Sequence, residues 1–113
     1  METQLIFKLS ALEEDILTIL RSQDDMYGLQ IIKYLEKAHE GQKKIKEGSI
    51  YPTLHRMEIK GFVASYWGED RPEERGGARR KYYQITGEGR QVLNSRLAVR
   101  ERLSSSFLQP CPA

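Results

Sequence analysis

The segment EGSIYPTLHRMEIKG, residues 47–61, constrains the chain most. Ile50, Leu54 and Met57 fall at i, i+4 and i+7, the spacing of one apolar helix face. Pro52 lies inside that run. A proline in a helix interior removes a backbone donor and clashes with the preceding turn, at a cost of about 3 kcal/mol or more. The conflict is relieved if Ser49 is the N-cap. Pro52 then takes the third helical position, where its missing N–H has no intrahelical partner to lose. Gly61 supplies the left-handed stop. The segment therefore predicts a short helix with a sharply defined start.

On a helical wheel, Ser49, Thr53, Arg56 and Lys60 share one outward flank, with Pro52 and His55 further round and Glu58 on the other side. Such a donor-rich surface suits the major groove, where arginine pairs with guanine and hydroxyls meet base edges or phosphates. A merely solvated face has the same composition, so the neighbouring segments must decide between the two.

Upstream, Ser10 and Glu13 form the S-x-x-E capping box of a first helix, whose stripe is Leu12, Ile16, Ile19 and Leu20 with Leu17 beside it. Asp24 or Asp25 can cap a second helix, YGLQIIKYLEKAHE. It turns Leu29, Ile32 and Leu35, or Ile31 and Leu35, inward and ends near Gly41. Downstream of Gly61 the period changes to 2. FVASYW and KYYQI read as two strands of an antiparallel hairpin around the polar loop GEDRPEERGGARR. A last helix follows from Thr86, with apolar positions at Val92, Leu93, Leu97, Val99, Leu103 and Phe107. The leader, residues 1–8, carries Leu5, Ile6 and Phe7, which could cover the domain's own core or a partner chain.

The net charge is only +2 over 113 residues, so nucleic-acid binding cannot rest on the total; positive charge must be sorted onto one face. It is sorted. Lys43, Lys44 and Lys46 precede the third helix. In the hairpin loop Glu69, Asp70, Glu73 and Glu74 outweigh Arg71, whereas Arg75, Arg79, Arg80 and Lys81 follow with no acid among them. Basic clusters flanking a donor-rich helix point to the DNA backbone.

Other chemistries find little. The single cysteine, Cys111, excludes an internal disulfide, and His39 and His55 lack a third ligand at metal spacing, so no metal and no cofactor are expected. No nucleophile motif, phosphate loop or paired carboxylates indicate an enzyme. No apolar run approaches the ~18 residues of a membrane helix and no signal peptide opens the chain, which predicts a cytoplasmic, nucleoid-associated protein. Tyr82 and Tyr83 should alternate between core and solvent. Trp67 could pack locally or contact a flat ligand, but nothing else supports a small-molecule effector.

Helix-helix-helix-hairpin-helix is the order of a winged helix-turn-helix, a mainly α fold with a β-hairpin (α+β), in which the third helix reads DNA. YGLQI, EGSIYPTLHRMEIKGFV and RRKYYQITGEGRQVL resemble segments of the PadR-like transcriptional regulators, and the likeness runs from about Leu9 to Leu93. The resemblance implies a homodimeric DNA-binding regulator, usually a repressor, with Ser49, Tyr51, Pro52 and Thr53 on or beside the recognition helix and Arg80 and Lys81 at the wing. It implies that the final helix pairs with its mate, as in the short members of the family. The expected organisation is a leader (1–8), a DNA-binding domain (9–86), a dimerisation helix (87–107) and a tail (108–113). Across the leader and first helix the likeness narrows to a clock-associated cyanobacterial member, which implies a clock-gene promoter as target. The long wing with its acidic first half departs from the family pattern and puts deep wing insertion in doubt. The rival reading keeps the fold but makes it a protein-interaction module.

Overall fold

A computed structural model describes residues 9–69 and 79–105. Four helices and three short strands follow in the order α1 (Ala11–Ser22), β1 (Met26–Tyr27), α2 (Gly28–Ala38), α3 (Glu47–Ile59), β2 (Val63–Trp67), β3 (Lys81–Ile85) and α4 (Gly87–Ser104). The α+β winged-helix expectation holds. The leader, the loop residues Asp70, Glu73, Glu74 and Arg75, and the distal residues Phe107 and Cys111 lie outside the described residues.

α1 begins at the expected capping box. The Glu13 amide donates to Ser10 Oγ at 3.1 Å, and the Ser10 amide donates back to Glu13 Oε1 at 2.8 Å. Its inner stripe is Ile16, Leu17 and Leu20, with Leu12 and Ile19 partly buried at its edges. In α2 the buried set is Ile31, Ile32 and Leu35. Leu29, inward in one of the two expected sets, is 45% exposed, because it shares the outer flank with Lys33. Asp25 does not cap α2. The Tyr27 amide donates to Gln30 Oε1 at 3.2 Å, and Asp25 is engaged elsewhere, by Tyr66.

β1 was absent from the sequence reading. Two residues are too short to display a period of 2, yet Met26 pairs with Tyr83 and Tyr27 with Tyr82. The sheet is thus antiparallel in the order β1-β3-β2, with Val63 opposite Ile85 and Trp67 opposite Lys81. Tyr83 is buried, and Tyr82 is half-buried between two other tyrosines rather than open to solvent.

One core joins all the helices: Ile16, Leu17, Ile31, Leu35, Ile50, Leu54, Met57, Phe62 and Leu93 are almost fully enclosed. α4 starts at Thr86, whose Oγ1 accepts from the Gly89 amide at 3.0 Å and donates to the Gly61 carbonyl at 2.6 Å. Val92 and Leu93, expected to contact a partner chain, belong to this core. The first half of α4 therefore packs into the same core as the other helices, across the boundary expected at residue 86. Leu97 and Val99 are half-buried, and Leu103 is 66% exposed.

Candidate nucleic-acid interface

α3 starts three residues earlier than expected. Lys46, not Ser49, is its N-cap and makes no side-chain cap bond; Glu47 occupies the first turn, where a carboxylate complements the helix dipole. Pro52 is consequently an interior residue, at the sixth position. The carbonyl it leaves without a helical partner is that of Gly48, an exposed residue of the first turn, where the cost of the missing bond is smallest. The start of α3 is fixed less by Pro52 than by the Lys46 carbonyl, which accepts from the amides of both Ser49 (2.9 Å) and Ile50 (3.1 Å).

Ile50, Leu54 and Met57 are fully buried, as expected, and hold α3 down. Ser49, Tyr51, Pro52, His55 and Arg56 face outward. Thr53 does not. It is buried at 3% exposure, and its hydroxyl donates to the Ser49 carbonyl at 2.8 Å while accepting from Arg56 Nη2 at 3.1 Å. Thr53, expected on the outward flank, therefore steadies the arginine from inside the fold. Lys60 is also drawn inward, with Nζ 2.9 Å from Glu13 Oε2 on α1.

Tyr51 owes its place to α2. A Cβ on Gly28 would come within 2.5 Å of the Tyr51 ring and hydroxyl, so only glycine admits the ring there. Burial, followed by the charge of Glu47, raises the Tyr51 pKa, which keeps the phenol neutral and able to donate. Beneath it, burial raises that of Tyr83, with Glu58 and Tyr51 adding to the effect. Glu58 accepts from the Ser65 hydroxyl at 2.5 Å.

The base of the wing is built by its own basic residues. Gly68 donates its amide to the Arg80 carbonyl at 2.7 Å, and its carbonyl receives Arg79 Nε (3.2 Å) and Nη2 (2.9 Å). Arg80 stacks over Tyr27, 4.4 Å from the ring centre, and Lys81 lies 5.8 Å from the centre of the Trp67 ring. Tyr66 and Tyr82 stack at 5.7 Å, and Tyr27 meets Tyr82 edge-on at 5.5 Å. Tyr66 donates to Asp25 Oδ2 at 2.6 Å, which pushes its pKa up to about 12. These contacts tie the wing base to the turn between α1 and α2.

An open cavity of about 900 Å³ brings the two regions together. Tyr51, His55 and Glu58 of α3 line it on one side and Trp67, Arg79, Arg80 and Lys81 of the wing on the other, with Lys33 and Glu36 of α2 between them, so cations outnumber carboxylates. Of the residues expected at the interface, Thr53 and Lys60 are turned away. Lys43, Lys44 and Lys46 are exposed in the connection before α3, which is held by the Ile45 amide donating to Glu36 Oε2 at 3.0 Å. Tyr27, Gly28 and Lys33 were not expected at this face. Their signal was the pair Tyr27-Gly28 at a helix start, which reads as packing until the partner of the glycine is known.

Among the described residues no helix is long and apolar enough to cross a membrane, and no group of His, Cys, Asp and Glu side chains could hold a metal ion.

Residues 16–95 match the model of the PadR-like transcriptional regulator family. Uncharacterized protein X of Lysinibacillus sphaericus is 30% identical over 81 residues, covering 72% of this chain and 71% of its own. A PadR-like transcription factor from Bacteroides fragilis superposes with a TM-score of 0.74 at 26% identity, over 94% of this chain and 95% of that one. A PadR family transcription regulator from Clostridium difficile R20291 is 32% identical, with a TM-score of 0.64 over 88% and 99% of the two chains.

Proposed function

Because this chain belongs to the PadR-like family of DNA-binding transcriptional regulators and is not an enzyme, we propose that it acts as a homodimeric repressor, occupying a pseudo-palindromic promoter site. The observation that carries this reading is the shared concave face, on which side chains of α3 and the wing converge around one cavity. α3 enters the major groove. Arg56 reads a base, held by Thr53, with Ser49, Tyr51 and His55 beside it. Lys43, Lys44, Lys46, Arg80 and Lys81 hold phosphates and set the register without reading sequence. Arg79 serves mainly by closing the wing base through the Gly68 carbonyl.

The dimer forms through the outer half of α4, where Val99 and Leu103 follow the core positions and Leu103 is left 66% exposed. Two copies about a two-fold axis call for half-sites about one helical turn, or a multiple of it, apart. Trp67, 55% exposed beside Lys81, stands at the rim of the DNA face, a place that favours local packing over a separate effector site. The narrower likeness across the leader and first helix, to the cyanobacterial clock-associated protein Pex, makes a clock-gene promoter the target and the cytoplasm the site of action.

Genomic DNA captured by the purified protein and sequenced tests the proposal. Enrichment of a short motif with inverted symmetry upstream of a gene whose transcript rises when the protein is deleted is the expected result. Enrichment of a motif without symmetry removes the dimeric reading, and no enrichment at all leaves the protein-interaction module in its place.

A further inference from the structure

The helix α1 carries two adjacent buried carboxylates that face different elements. Glu13 is 2% exposed and receives Lys60, the residue that ends α3, at 2.9 Å. Glu14 is 7% exposed and receives two arginines one turn apart on α4: Arg100 Nη2 at 2.9 Å and Arg96 Nε at 3.6 Å from the same oxygen. A further contact between the two helices, Arg21 Nη1 to Asn94 Oδ1, spans 3.2 Å.

The position of the Glu14 clamp matters. Val92 and Leu93 are the last buried residues of α4, and beyond them only the half-buried Leu97 packs against the core. Beyond them the helix runs to Ser104, a span of about 16 Å at ~1.5 Å per residue. A tilt of about 10° would move its tip by about 3 Å, comparable with the ~3.4 Å rise of one base pair. The charge-assisted hydrogen bond from Arg100 is short and directional, and the Arg96 ion pair on the same oxygen adds to it, so together they resist such a tilt better than the half-buried Leu97 can.

We propose that Glu14, acting through Arg96 and Arg100, is a positioning residue that fixes the direction of the dimerisation helix relative to α3 and thereby selects the spacing between operator half-sites. The neighbouring Glu13–Lys60 pair refers the same helix α1 to the reading head, so α1 is the common base of both. The inference rests on the dimeric reading given above.

The test is selection from duplexes carrying two enriched half-sites separated by spacers of varied length, using the full chain and the double variant Arg96→Gln/Arg100→Gln. These arginines are partly exposed, so the variant keeps the core intact; Glu14→Gln is carried alongside it. Affinity for a single half-site is measured for each protein. The native chain should bind its best spacer at least about tenfold more tightly than one longer or shorter by a base pair, on the scale of one mismatched base. The variants should lower that ratio below about threefold while half-site affinity stays within about twofold. An unchanged spacing preference in both variants overturns the proposal. Loss of half-site binding in parallel also overturns it, since the clamp would then serve the fold as a whole. A native chain indifferent to spacing removes the dimeric reading itself, and the proposal with it.

Discussion

Arg56 and Arg80 carry the same charge in different settings, and that difference separates reading from holding. Arg56 is exposed on α3 with its guanidinium steadied by Thr53, whereas Arg80 lies across Tyr27 at the wing base. Replacing Arg56 with alanine should cost about 1–3 kcal/mol on the specific site and little on random DNA. Arg80→Ala should weaken every sequence alike and flatten the salt dependence by about one unit of slope. Titrations of both variants on specific and random duplexes decide this; if the two variants behaved identically to each other on both DNAs, the roles would be misassigned. Gly28→Ala adds a methyl where the Tyr51 ring now rests, and the clash falls on the mobile end of that side chain. Stability should change by less than about 1 kcal/mol, while specific binding drops by roughly tenfold as Tyr51 swings away. A fall in melting temperature with binding intact would place Tyr51 in packing instead. Tyr66 offers a pH marker. Its folded pKa of about 12 lies above the usual 10.0, so the Asp25 bond contributes fully below about pH 10 and is lost as pH rises through about 12. Tyr51 and Tyr83 also ionise late, so ultraviolet titration is compared between the native chain and Asp25→Asn: one late component should return toward the ordinary range in the variant, and an unchanged titration would refute the bond.

Elements meet through backbone as well as side chains, and one contact fixes where α4 begins. A Cβ on Gly89 would overlap the Phe62 carbonyl oxygen, which is part of the backbone and cannot swing aside. Gly89→Ala should therefore cost about 1–3 kcal/mol in chemical denaturation, unlike Gly28→Ala. Equal costs for the two glycines would contradict the packing described. The T-G-E-G-R run thus combines a cap, Thr86, with a close approach, Gly89. The cap was legible in the sequence, because a threonine before a helical pattern has one preferred use; the approach was not, because its partner lies 27 residues away. The inner face of α3 was legible by its period, and Thr53 could have been assigned to it as well, being three residues from Ile50. The start of α3 was misplaced because a serine is the favoured cap, while here an ungapped turn begins at Glu47 with no side-chain cap at all. β1 carried no periodic signal. Apolar spacing in α4 identified buried residues but could not distinguish this chain's core from a partner's, and Val92 and Leu93 went to the core.

At the scale of the molecule, the small net charge and the proposed function are reconciled by sorting. Glu13 and Glu14 are occupied by Lys60, Arg96 and Arg100, and Asp25 binds Tyr66, whereas around the cavity beside α3 Lys33, Arg79, Arg80 and Lys81 outnumber Glu36 and Glu58. A chain of net charge +2 can in this way offer DNA a surface more basic than its composition. The central claim, sequence-specific binding of duplex DNA by that face, is tested most directly by titrating the native protein against its enriched duplex and a random duplex of equal length at two salt concentrations. The account predicts that both affinities fall as salt rises, and that the enriched duplex is bound about a thousandfold or more tightly than the random one at the higher salt. Equal affinity for the two duplexes at both salt concentrations would contradict it.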